Sequence, residues 1–466
     1  MFDAKTYTER RNKLRKHFSS GLILIMGNNE SPMNYPGNTY HFRQDSNFLY
    51  LFGLDFPGLA GVIDIDNNKD IIFGNDVEID DIIWMGTQEI MKDKALKAGV
   101  SNTEPFGNLA EYVETAKKQN RKIHFLPPYR FDNKILLSNL LNIPVDKLKE
   151  NASVELIKGV VSLRSIKEQV EIDEIERYME VAYLMHTTAM KMAKPDIYER
   201  EIAGVVEGIT LACGGAVSFP VILSIHGETL HNHDHSNKMK DGDLLIIDAG
   251  TESPMHYATD HTRVVPVSGK FTQKQKEIYQ VVLDSQMAAI KAIKPGVTYQ
   301  NIHFLASKVI TDGLKAIGLM KGDTAEAVRK GAHAMFFPHG LGHMMGLDVH
   351  DMEDLGEDYV GYDDEIKRSD LFGTAYLRLG RRLQDGFVLT VEPGIYFIPA
   401  LIDQWKAEKK FMEFINYEKV EEYRNFGGIR IEDDVLVTEN GYKVLGRPIP
   451  KTVAEIEAFM KENRNL

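Results

Sequence analysis

The strongest constraint on this chain is an internal repetition. Asp241-Gly-Asp-Leu-Leu-Ile-Ile-Asp248-Ala-Gly250 is matched by Asp385-Gly-Phe-Val-Leu-Thr-Val-Glu392-Pro-Gly394. Each phrase reads Asp-Gly, five mostly apolar residues, a carboxylate, one residue and Gly. A further strand with an acid near its start follows each: Asp260 before His-Thr-Arg-Val-Val, and Glu432 before Asp-Asp-Val-Leu-Val. Helices recur ahead of the strands. Ser165 and Glu168 predict a capping box, with Ile172, Ile175, Met179, Ala182 and Met185 at helical spacing and a stop before Pro195. Thr272 and Gln275 repeat the cap, Ile278, Val281, Val282 and Met287 the apolar face, and Pro295 the stop. Second helices are expected near 199–213 and 299–317. A turn-strand phrase alone is common, but here helices, prolines, strands and acids return in one order. That order predicts two similar halves about an approximate two-fold axis, with their sheets meeting in the middle.

The repeat carries Asp248, Asp260, Glu392 and Glu432 toward one point. Any one of these acids is most simply a partner of Arg263 or Arg430. Four together would repel one another and hold protons at neutral pH. Two divalent cations remove that problem, and such pairs sit ~3.5–4 Å apart. Between the two phrases, His339-Gly-Leu-Gly-His343-Met-Met-Gly-Leu-Asp-Val-His350 packs three histidines among glycines, which suits ligands and proton carriers. An earlier cluster, His226, His231, His233 and His235, also reads as a solvated loop; only His231 is singled out. An oxygen-rich set with one imidazole fits Mn2+, Co2+, Fe2+ or Zn2+. Two such ions supply a nucleophile near neutral pH and polarise a carbonyl, which is hydrolytic chemistry. The residues alone leave amide and phosphate ester open.

The first third reads differently. Short strand-like runs at 22–26, 48–52, 61–65, 71–73 and 123–126 alternate with helical stretches such as 76–98, and no His-carboxylate set accompanies them. An α/β chain (in the mixed, α+β sense) is expected, with a smaller α/β domain over 1–155 and the repeated, site-bearing domain over 156–466. The 466 residues carry 55 Lys+Arg against 68 Asp+Glu, a net charge of −13, which disfavours nucleic acid as a partner. A single cysteine, Cys213, excludes an internal disulfide and points to a cytoplasmic protein. Residues 1–20 hold no signal-peptide core, and no apolar run approaches the ~20 residues of a membrane span.

Nearly the whole chain resembles the creatinase/aminopeptidase P/prolidase group of metallopeptidases, whose catalytic domain has the pita-bread fold. The resemblance rests on FRQDSNFLYLFG in the first third and on HGLGHMMGLDVHD, VLTVEPGIYF and GGIRIEDDVLVT, in that order. It implies that Asp248, Asp260, His343, Glu392 and Glu432 are dinuclear metal ligands, most often for Mn2+. It implies roles for His231 at the tetrahedral intermediate, His339 in the proline pocket and His350 at the substrate carbonyl. Glu392 would double as proton acceptor, and Arg430 would orient the acids. The later segments resemble the prolidase (Xaa-Pro dipeptidase) branch. They share its Leu377-Arg378, the insert IPALIDQWKAEKKFMEFINYEKVEEYRNF and the ending RPIPKTVAEIEAFM. In that branch the Arg378 position is implied to grip the free carboxylate of a dipeptide, as a guanidinium fork does. The expected substrate is a small peptide with proline second, and the expected assembly a homodimer. The alternatives are an Xaa-Pro aminopeptidase of the aminopeptidase P kind, a non-catalytic pita-bread binding module, and a two-metal phosphoesterase. Asp248 and Asp260 stand 12 apart, one more than the family pattern, and the loop SIHGETLHNH lacks its Ser-Gly-x-Asn phrase.

Overall fold

The computed structural model describes residues 1–463 and divides into two compact units. One comprises Met1–Arg164 with Glu353–Tyr359; the other comprises Ser165–Met352 and the chain from Val360 onward. Helix Val154–Arg164 packs on helix Ala4–Arg15, so it belongs to the first unit.

The first unit is built on a five-stranded mixed sheet. Its strands are β1 (Leu22–Met26), β2 (Ala60–Asp64), β3 (Lys69–Phe73), β4 (Asn102–Glu104) and β5 (Ile123–Phe125), in the order β4-β3-β2-β1-β5. Two sequence expectations change here. The run 48–52 lies in a helix, Ser46–Phe52, because Asp45 Oδ1 accepts from the Asn47 and Phe48 amides and Gly53 ends the turn in the left-handed region at φ 65°. The stretch 76–98 is two short helices, Ile79–Met85 and Met91–Lys97, parted at Gly86.

In the second unit the helix-helix-strand order occurs twice. Helices α1 (Gln169–Met192) and α2 (Glu199–Ala212) precede strands β6 (Ile222–Ser224), β7 (Leu244–Ala249) and β8 (His261–Pro266). Helices α3 (Gln273–Ala292) and α4 (Tyr299–Ala316) precede β9 (Val388–Val391), β10 (Gly394–Tyr396), β11 (Gly428–Arg430), β12 (Asp433–Thr438) and β13 (Gly441–Val444). The α3 capping box forms as expected: Thr272 caps Gln275 and the Gln275 side chain accepts from the Thr272 amide at 2.8 Å. The Ser165 cap does not. The Lys167 amide is taken by Gly386 O at 2.8 Å, and α1 starts behind a Glu168–Glu171 box instead.

Strand β7 is buried along its whole length, as a continuous apolar run requires. It pairs antiparallel with β8, Asp248 opposite Thr262, and with β6. In the second half β9 pairs antiparallel with β12, Val391 opposite Asp433, and β10 with β11. One bridge joins the halves: the Glu432 amide donates to Thr262 O at 3.1 Å. That bridge sets the acid-bearing strand ends side by side.

Candidate metal centre

Asp248 lies near the end of β7 and Asp260 just before β8. Glu392 follows β9, and Glu432 lies between β11 and β12. All four line one cleft of about 600 Å3, together with His231, His339, His343, His350, Arg378 and Arg430. Ligand atoms of Asp260, His343 and Glu432 fall within 4.8 Å of one another. His343 Nε2 stands 3.4 Å from Asp260 Oδ2 and 3.7 Å from Glu392 Oε1. Its Nδ1 lies 3.0 Å from Met344 O, an arrangement that puts the proton on Nδ1 and leaves Nε2 as the donor atom.

Two glycines explain how the histidine loop gets close enough. A Cβ on Gly342 would collide with Thr390 O on β9, and one on Gly340 would sit 2.7 Å from Leu377 Cα. The loop is thereby pressed against β9 on one side and against the Arg378 segment on the other. Tyr362 Oη donates to Leu377 O at 2.6 Å, which holds Arg378 from behind. Arg381 and Arg382 have structural partners, Ser165 Oγ and Gly296 O, and do not line the cleft.

The cations in reach do not balance the acids. Arg263 is committed elsewhere, 2.6 Å from Asp433 Oδ1 and bonded to Glu432 O. Arg430 enters the cluster directly. It donates to Asp248 Oδ2, to Tyr396 Oη at 3.0 Å and to Thr262 Oγ1 at 3.2 Å, and approaches Glu392 at 4.0 Å. The consequences are visible in the proton affinities. Burial first, then the neighbouring carboxylates, hold Asp260 and Glu432 well above the usual carboxylate range. Burial pushes Glu392 up to about 7, with His343 and Arg430 opposing. Burial works against the Arg430 charge, but Tyr396 and the acids outweigh it and raise its proton affinity.

The donor set fits divalent cations. Asp248 Oδ1 and Asp260 Oδ1 are buried and have no hydrogen-bond partner among the described residues, a state that a carboxylate oxygen leaves only by accepting a proton, a water or a metal. Four carboxylates with one imidazole suit hard to borderline ions.

The matches with known proteins agree with this geometry. The family model described as metallopeptidase family M24 matches residues 173–439, and the aminopeptidase P N-terminal domain model matches residues 7–124. The chain belongs to metallopeptidase family M24. It is 32% identical to a human Xaa-Pro dipeptidase over 459 residues, covering 96% of this chain and 91% of that protein. It is 29% identical to a probable Xaa-Pro aminopeptidase PEPP of Coccidioides posadasii, covering 99% and 97%. Among solved structures, Pseudomonas aeruginosa aminopeptidase PepP superposes with TM-score 0.82 at 27% identity, covering 100% of this chain and 99% of that one. A variant of Escherichia coli aminopeptidase P in complex with substrate gives 0.81 at 29%, covering both chains in full. The two-unit α/β architecture is therefore that of aminopeptidase P, and the chain is a hydrolase of the metallopeptidase kind.

In this M24 metallopeptidase the residues lining the cleft are also held by side chains that sequence reading passed over. Tyr396 Oη lies 2.8 Å from His339 Nε2 and accepts from Arg430, linking the histidine to the arginine. Thr262 Oγ1 donates to Glu432 Oε2 at 2.6 Å. The Asp260 amide donates to Asp434 Oδ2 at 2.9 Å. His233 lines the cleft beside His231, whereas His235 turns to Leu223 O and His226 pairs with Glu228. Tyr396 sits in the quoted phrase VLTVEPGIYF, but no spacing rule marks a hydroxyl that bridges two side chains. His339 is kept neutral. Burial, then Arg430, lowers it to about 3, and Phe337 packs edge-on at 4.8 Å.

Proposed function

We propose that this metallopeptidase holds two divalent cations, Mn2+ first among them, and hydrolyses the Xaa-Pro bond at the amino end of short peptides, dipeptides above all. Asp248, Asp260, His343, Glu392 and Glu432 would hold the metals. The observation that carries this reading is one cleft in which that donor set, with two orphaned carboxylate oxygens, lies beside Arg378. When bound, the cations supply a nucleophile at neutral pH and draw electron density from the scissile carbonyl.

The chain's own groups do the rest. Arg378 takes the free carboxylate of a dipeptide in a two-pronged contact, which fixes the proline end. The neutral His339 ring offers the proline an uncharged wall. His350 contacts the scissile carbonyl, and His231 donates to its oxygen as negative charge develops there. Burial and then Arg430 lower the proton affinity of His231. Glu392 accepts the proton of the attacking water and passes it to the proline nitrogen, so the C–N bond breaks as an amine leaves. Arg430 keeps Asp248 in place.

The Xaa-Pro dipeptidases and aminopeptidases among the relatives support the bond cleaved, and Arg378 supports a substrate ending at proline. The aminopeptidase P structures favour the second reading, turnover of longer Xaa-Pro peptides. With Mn2+ present, Gly-Pro is expected to be hydrolysed faster than Gly-Pro-Ala. Faster release from the tripeptide would overturn the dipeptidase choice. Glu392→Ala should abolish both activities. A homodimer in the cytoplasm completes the proposal; the resemblance to prolidases supports the first and the single cysteine the second.

A further inference from the structure

One wall of the cleft takes no part in the steps above. Phe372 and Tyr376 line it next to Arg378, their rings edge-on at 6.0 Å. Behind Phe372 stands Trp405, edge-to-face at 5.7 Å. Trp405 belongs to helix Pro399–Ala407, in the insert between Glu392 and Glu432. Its exposure is 3%, against 36% for Phe372 and 56% for Tyr376. A buried indole from the insert thus backs one of two open rings at the cleft.

The indole is itself held. The Phe411 ring packs on it at 5.4 Å and Lys410 Nζ sits 4.1 Å above it, while Lys410 O accepts from Tyr417 Oη at 2.7 Å. Phe372 is open to solvent on one side, so its own burial does little to fix its tilt. An edge-to-face partner does, because ring quadrupoles favour that geometry. From Phe372 the chain runs through the tight turn Thr374–Tyr376 straight into Leu377-Arg378, with the Leu377 amide on Thr374 O at 3.0 Å. Phe372 thus stands six residues ahead of Arg378, with a hydrogen-bonded turn between them.

We infer that the insert is a chain-length selector. Through Trp405 it holds the Phe372–Tyr376 wall against the end of the substrate that Arg378 grips. A peptide ending at proline fits behind the wall, and a longer one must displace it. Phe372 and Tyr376 are specificity residues; Trp405 is a positioning residue acting through Phe372. The inference rests on the Xaa-Pro reading above.

The test compares steady-state kinetics of the metal-loaded protein on Gly-Pro and Gly-Pro-Ala for the parent, Trp405→Ala and Trp405→Phe. Trp405→Ala is expected to raise KM for Gly-Pro about tenfold with kcat within about twofold, as loss of an orienting aromatic contact would do. Its preference for the dipeptide over the tripeptide should fall by a similar factor. Trp405→Phe should restore both. Phe372→Ala, at a half-exposed position, should give the same shift and replaces Trp405→Ala if that variant does not fold. An unchanged preference ratio in folded Trp405→Ala or Phe372→Ala overturns the inference, as does an equal fall of kcat on both peptides with KM unmoved. A parent inert on both peptides overturns the Xaa-Pro reading and the selector with it. An active parent with an unmoved variant overturns the selector alone.

Discussion

Arg430 and Thr262 together decide how the acids are presented. Thr262 Oγ1 accepts from Arg430 Nε and donates to Glu432 Oε2, so one hydroxyl aligns a cation and a carboxylate at the same time. Partners of this kind orient metal ligands, and their loss typically costs 10–100-fold in metal affinity or activity. Thr262→Val keeps the shape and β-branching of the side chain and removes only the hydroxyl. It is expected to weaken Mn2+ binding by about tenfold or more, read by calorimetric titration of the metal-free protein, with secondary structure unchanged. Equal affinity in the two proteins would mean that Glu432 needs no such partner. His343 is held comparably, by Met344 O on its Nδ1 and by Thr390 Oγ1 on its amide at 3.2 Å.

At the scale of single elements, the helix-helix-strand order sets where the acids go. Helix α3 starts at a true capping box, with Thr272 and Gln275 exchanging backbone bonds. Thr272→Ala should therefore destabilise the protein by about 1 kcal/mol, seen as a lower denaturant midpoint, while Ser165→Ala, outside any cap, should not act through helix initiation. The contrast shows what was legible. Apolar periodicity and prolines placed α1, α2, α3 and α4 to within a few residues, because those signals are local. The Ser165 start failed because Gly386, more than two hundred positions away, takes the Lys167 amide. The run 48–52 forms a helix although its buried aromatic and aliphatic residues suit a strand as well. The Asp45 cap and the Gly53 stop separate the two. In the site, acids and histidines were legible from their repeat and from family phrasing. Tyr396, Thr262 and Asp434 were not, since their roles arise from cross-strand register.

On the scale of the molecule, two buried histidines work against stability on mild acidification, separately from the metal centre. His303 and His333 are fully buried, and none of their ring nitrogens has a hydrogen-bond partner among the described residues. Burial lowers His303 to about 3, with His333 and His339 adding to it, and lowers His333 to about 4. The unfolded chain takes up these protons near pH 6.5 while the folded one refuses them, so folded-state stability drops as pH falls from about 6.5 toward 4. Each histidine should cost about 2 kcal/mol at pH 5 by this linkage. The melting temperature of His333→Leu relative to the parent should therefore rise as pH is lowered from 7 to 5, and an unchanged difference would contradict this linkage. No helix among the described residues is long and apolar enough to cross a membrane.

Electron paramagnetic resonance of the Mn2+-titrated, metal-free protein reads whether charges distant in sequence converge to hold a pair of cations. Two Mn2+ per chain with an exchange-coupled signal, as expected for ions ~3.5–4 Å apart, is the predicted result, and Asp260→Ala should destroy the coupling. Binding of a single uncoupled ion, or a coupled pair that survives loss of Asp260, would contradict it.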